Sequence, residues 1–142
     1  MERNRPIEAR EHLRRFHTLF FAYAPDKAAI ESNIERALVM ADRSAVDYYR
    51  DLAESGYFNR LIAAGIIQRI EVDSIAVDFE RYPYRARTYA RQIILRESTV
   101  TERSLVTTCQ MVNSIRSTDN PQGFQIQRLT VVENRDLGSN DR

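Results

Sequence analysis

The sequence predicts an α+β fold, with N-terminal helices packed on one face of a curved, four-stranded antiparallel sheet. Apolar residues recur at helical spacing as far as Ala64, the period changes to two from Ile66, and neither a repeat nor a linker separates the halves. At 142 residues the chain is long enough for one domain and buries about 70% of its unfolded surface without metal or disulfide support. Residues 6–64 are expected to be helical, 66–134 to form the sheet, and 138–142 to fray.

The first helix carries Leu13, Phe16, Leu19, Phe20 and Tyr23 on one stripe, and Glu11 can pair with Arg15 a turn later. Pro25 is expected to break it, and Asp26 stands where a cap or first-turn acid favours a second helix. That helix aligns Ile30, Ile34, Ala37, Leu38 and Ala41. A third is expected to start at Ser44, capped with Asp47 three residues on, and to carry Val46, Tyr49 and Leu52 up to Gly56. Residues 57–64 make a last short helix closed by Gly65.

In the first strand Ile66, Ile70 and Val72 share one face, whereas Ile75, Val77 and Phe79 fall on the opposite parity. That shift predicts a bulge near Asp73 and Ser74 that bends the strand. Tyr82-Pro83-Tyr84 turns into a second strand reaching about Arg96, and a third, rich in Thr and Val, runs from Val100 to Ile115. Asn120-Pro121-Gln122-Gly123 has Asn first, Pro fixing φ second and Gly free to take positive φ fourth, the pattern of a type I turn with a glycine bulge. It leads into a strand from Phe124 to Glu133. A bent sheet wrapped over a helical layer is the outline of a nuclear-transport-factor-like cone.

Composition narrows the function classes. The 21 basic and 20 acidic residues are interspersed, leaving no global field to gather phosphates. Cys109 is the lone cysteine, which excludes an internal disulfide, and its strand-like surroundings suggest a small buried hydrophobe. No run approaches the ~18 apolar residues that span a bilayer, and residues 1–5 lack the apolar segment of a signal peptide. Taken alone, the sequence reads as cytosolic.

A set of short motifs changes that reading. Phe16-His17 with Phe20-Phe21, Asn33-Ile34 with Ala37-Leu38 and Ala41-Asp42, and Gly56-Tyr57 come first. Val72-Asp73-Ser74-Ile75 with Val77-Asp78, Tyr82-Pro83-Tyr84, Asn120-Pro121-Gln122-Gly123, and Glu133-Asn134 with Asp136-Leu137 follow. Together and in this order they resemble the TraK proteins of Bacteroides-type conjugative transposons, relatives of the eighth VirB-type component of type IV secretion systems. The resemblance implies the periplasmic domain of a single-pass inner-membrane protein. Such a domain self-associates weakly and docks other secretion subunits during conjugative DNA transfer, with neither catalytic residues nor cofactor. The missing membrane helix then implies that this chain is the soluble part of a longer protein, with Met1 added. By matching position, Asn120, Pro121, Gln122 and Gly123 inherit a role in partner contact, although hairpin geometry alone also explains the turn.

Other surfaces remain open to more than one reading. Arg85, Arg87 and Arg91 share a strand face with Tyr89, a combination that fits a solvated or edge-guarding face, a protein interface, or stacked bases and phosphates. Phe20 and Phe21 either exceed what one core covers and become an oligomer interface, or pack under the next helix. His12 and His17, five apart, fall on different helix faces, so no metal site is expected. The rival to a scaffold is a small-molecule enzyme or ligand-binding domain of the cone-shaped class, in which Asp73, Asp78 and Tyr89 would supply the polar groups.

Overall fold

In a computed structural model that describes residues 4–142, helix α1 (Arg5–Phe20) has a proline in its first turn, where the missing N–H leaves no helical bond unmade. Its buried stripe includes Ala9, Leu13, Phe16 and Phe20. The helix ends at Phe20, ahead of the break expected at Pro25, because the next residues leave it for the sheet. Tyr23 pairs with Gln68 through N–H···O bonds of 2.8 and 2.9 Å. The Phe21 carbonyl accepts from the Gln68 (3.2 Å) and Gln92 (3.1 Å) side chains, so an acceptor left over at the helix end is satisfied from the sheet.

Helix α2 (Lys27–Leu38) is capped as expected by Asp26, whose carboxylate accepts from Ala29 N at 2.9 Å. Helix α3 (Arg43–Glu54) is capped by Asp42 and not by Ser44. The Ser44 hydroxyl donates to Asp42 Oδ1 (2.5 Å) and accepts from Leu129 N (2.8 Å), tying the helix to the sheet, while Asp47 pairs with Arg43 and Arg50. Gly56, at φ +82°, takes the left-handed turn into α4 (Tyr57–Ala63).

The sheet comprises β1 (Ile67–Asp78), β2 (Tyr84–Leu95), β3 (Thr99–Asn113), β4 (Phe124–Glu133) and β5 (Asp136–Asp141). The first four lie in order and are antiparallel. The β1–β2 register slips between Val72 and Ser74, the bulge expected there. The sheet has five strands, not four, and the segment expected to fray is the fifth. β4 covers β3 only along Val106–Asn113, and β5 pairs with the remaining Thr99–Arg103 edge. Arg103 holds Asp136 at 2.7 Å, and Arg142 N reaches Ser98 O at 2.9 Å.

The core lies between this sheet and the helices. Phe20 stacks on Phe16 and meets Phe21 edge-on, each pair 4.9 Å between centroids, and both Phe20 and Phe21 also pack on Tyr48. Each is 1% exposed, so neither forms the oligomer interface considered from the sequence. Burying each ring contributes ~1.5–3 kcal/mol, which places the pair among the anchors of the fold. Cys109 is buried as expected, and burial pushes its thiol pKa up to about 12.

Candidate partner-binding surfaces

The corner between β3 and β4 is built as its sequence suggests. Gly123 N donates to Asn120 O (3.2 Å), Gly123 sits at φ +68°, and the Asn120 side chain donates to Phe124 O (2.9 Å). A Cβ on Gly123 would stand 2.7 Å from Arg116 Cγ and 3.0 Å from the Ser114 carbonyl oxygen, so space and φ both demand glycine.

What holds the corner is Arg5, 117 residues earlier than Gln122. Its guanidinium donates to Gln122 O (2.5 Å), Gly123 O (2.9 Å) and Asn113 Oδ1 (2.8 Å), and lies 3.7 Å over the Phe124 ring. A planar fork can serve several acceptors in this way; an ammonium cannot match the geometry. Beside it Glu8 pairs with Arg116, and hydrogen bonding to that guanidinium lowers the carboxyl pKa. Asn120 and Gly123 are buried, while Pro121 and Gln122 are half-buried. Next to the corner stands Ile115, 87% exposed, and on the first turn of α1 Ile7 is 58% exposed. Sequence reasoning missed Arg5 and Ile115. An isolated arginine carries no sign of a contact more than a hundred residues away, but an isoleucine among Ser and Arg at a strand end is a readable signal.

Arg85, Arg87, Tyr89 and Arg91 do share one face of β2, the one turned away from the helices. Because β2 lies between β1 and β3, it guards no edge. The structure separates the three arginines. Arg91 donates to Asp73 (2.9 and 3.0 Å), Glu71 (2.9 Å) and Glu102 (3.1 Å), which raises its own pKa and lowers that of Asp73. Arg87 lies 5.4 Å over the Tyr89 ring. Arg85 and Arg87, with Arg128 from β4, line an open depression of about 640 Å³.

The histidines are interior. A carbonyl can only accept, so His17 Nδ1–H donates to Leu13 O (2.7 Å), leaving Nε2 to accept from the Thr107 hydroxyl (2.7 Å). His12 Nε2 donates to Met40 O (3.2 Å), and its Nδ1 is buried with no protein partner. Burial pushes both pKa values down to about 4. Among the described residues no group of three His, Cys, Asp or Glu is placed to hold a metal. Asp73, Asp78 and Tyr89, the groups a rival enzyme would use, are exposed on the outer face; Asp73 serves Arg91, and Asp78 accepts from Glu80 N at 2.9 Å.

No protein-family model matches the sequence, and no curated protein matches it. Solved structures do match in shape. The soluble domain of TrwG of the type IV secretion machinery from Bartonella grahamii superposes with a TM-score of 0.72 at 16% identity, over 93% of this chain and 96% of that one. The chain has a VirB8-like fold. The VirB8 protein of Agrobacterium tumefaciens gives a TM-score of 0.71 at 9% identity, over 100% of this chain and 96% of its own. The periplasmic domain of DotI gives 0.70 at 12%, over 94% and 97%. Such identities carry the fold, including its nuclear-transport-factor-like outline, and leave the role of this chain to be argued from its surfaces.

Proposed function

We propose that this chain is the periplasmic domain of an inner-membrane type IV secretion subunit of the TraK kind, a scaffold that docks other subunits during conjugative DNA transfer. The observation that carries this reading is end-to-end shape agreement with the TrwG domain of type IV secretion machinery, with VirB8 and with the periplasmic domain of DotI. The ordered motif resemblance supports the same reading independently. No described helix is long and apolar enough to cross a membrane, so the anchor in this proposal lies outside the chain.

The docking corner is Asn120 to Gly123 together with Ile115. Arg5 consumes the carbonyls on the inner side of the turn, so the half-buried Pro121 and Gln122 and the exposed Ile115 are what a partner meets. An isolated aliphatic anchor in a polar rim suits a weak, specific contact. Tethering to a shared membrane raises effective concentration, so each such contact can be weak, self-association included. A scaffold of this kind needs neither cofactor nor catalytic group, which fits the outward, ion-paired placement of Asp73.

The test is conjugative transfer from a strain deleted for the gene and complemented with the intact protein, unchanged or carrying Ile115→Asp or Gln122→Asp, with folding checked by circular dichroism. The reading expects transfer to vanish on deletion and to return poorly with the folded variants. Transfer that survives deletion overturns the secretion role. Full complementation by both variants removes the corner as a docking site.

A further inference from the structure

The outer face of the sheet has two electrically distinct ends, and only one is satisfied internally. At the first, Arg91 is shared among Glu71, Asp73 and Glu102, a cluster with a surplus of negative charge. At the second, Arg85, Arg87 and Arg128 line the open depression with Thr108 and Gln110, and Asp78 is the one carboxylate among its lining residues. No ion pair joins these three guanidiniums to any acid among the described residues.

Arg85 and Arg87 are successive residues on one strand face, about 7 Å apart by strand geometry, so they repel each other. Among the described residues, only Asp78, opposite Arg85 in the β1–β2 register, and the Tyr89 ring under Arg87 offset that repulsion. Between the two ends Tyr89 is 40% exposed, and Val132, at the β3–β4 register shift beside the Val106 that Tyr89 faces, is 45% exposed. Guanidinium forks pair with carboxylates in two parallel hydrogen bonds, and a ring beside a guanidinium already presents its face.

We infer that this basic trough binds an extended acidic segment of a partner protein, its carboxylates on Arg85, Arg87 and Arg128 and one apolar side chain against Tyr89 and Val132. The same face argues against the other polyanions. A nucleic-acid strand or a flat anionic membrane would extend over the acidic cluster around Arg91 and be repelled there. A short segment crossing only the basic end avoids it. The inference gives the partner chemistry of one surface of the proposed scaffold and rests on that reading only for which protein supplies the segment.

The experiment uses the whole chain and no other subunit, so it can fail while the transfer experiment succeeds. A fluorescent glutamate-rich peptide containing one tyrosine and one leucine is titrated by anisotropy, beside an analogue with glutamine for every glutamate. Arg87→Glu and Arg128→Glu are expected to weaken peptide binding about tenfold each, as loss of a charge pair at an interface does. Arg50→Glu, on an exposed position of α3, is expected to leave it unchanged, and raising salt to weaken it. Equal binding by wild type, Arg87→Glu and Arg128→Glu overturns the inference, as does equal binding of the glutamine analogue. Tighter capture by phosphatidylglycerol vesicles than by the peptide, or dimerisation lost in the same variants, overturns it in favour of a membrane or a second copy.

Discussion

Acidification below pH 6.5 should weaken this domain well before its carboxylates titrate. His12 and His17 are both fully buried and neutral, and burial pushes their pKa values down to about 4. In the unfolded chain an imidazole takes up its proton near pH 6.5. Between about pH 6.5 and 4 the unfolded state therefore binds more protons than the native one, and stability falls as pH falls, levelling off below 4. At about 1.4 kcal/mol per pH unit, each ring removes about 2 kcal/mol between pH 7 and pH 5, and the pair about 4 kcal/mol. Against a total of about 5–15 kcal/mol that loss is large. Urea unfolding at pH 7, 6 and 5 measures it, and the imidazole proton shifts by nuclear magnetic resonance report each ring directly. His12→Gln should halve the pH slope whatever it does to stability at pH 7. Rings titrating near 6.5 in the folded protein, or a stability unchanged from pH 7 to 5, would refute the burial argument. Glu8 and Asp73, lowered by Arg116 and Arg91, add a separate loss as pH falls from the ordinary carboxylate pKa toward their lowered values.

Arg5→Ala removes the donor to two carbonyls and the Asn113 side chain; it should cost about 2–4 kcal/mol and raise amide exchange at Ser114 and Gly123. Gly123→Ala forces a side chain into φ +68° against Arg116 and Ser114, with an expected loss of about 1–3 kcal/mol seen as a lower urea midpoint. Ending the chain after Arg135 deletes β5. Amide exchange should then accelerate at the β3 residues Thr99 to Arg103 that β5 pairs with, and hardly change in α2.

The elements that could be read in the sequence are those whose causes are local. Asp26 caps α2 because a carboxylate three residues before a free N–H needs nothing else. The bulge at Asp73 shows in the sequence as a change of apolar parity, and the corner at Gly123 as a residue order. Ser44 misled because its hydroxyl is used by Leu129 N, 85 residues away, leaving the cap to Asp42. β5 has no apolar alternation to read: Asp136–Asp141 is exposed throughout and is a strand only because β4 leaves part of β3 unpaired. The candidate surfaces divide in the same way. The shared face of Arg85, Arg87, Tyr89 and Arg91 follows from strand parity, but which arginine is neutralised depends on acids from β1 and β3. Phe20 and Phe21 read as surplus because the sequence does not show how deep a pocket Tyr48 and the sheet provide.

A string of amides crosses the interior from edge to edge. Asn134 donates to Gln92 (2.9 Å), Gln92 and Gln68 both donate to the Phe21 carbonyl, and Tyr57 donates to Gln68. Oily surfaces can slide past one another at little energetic expense, whereas a donor displaced by an ångström loses its acceptor. The string therefore works like a key in a keyway, indexing the end of α1 against β1 and β2 while the hydrocarbon around it supplies cohesion. A chain with leucine at both glutamine positions would retain much of its cohesion and lose its index. That damage would show as broadened resonances from several coexisting alignments, ahead of any fall in melting temperature.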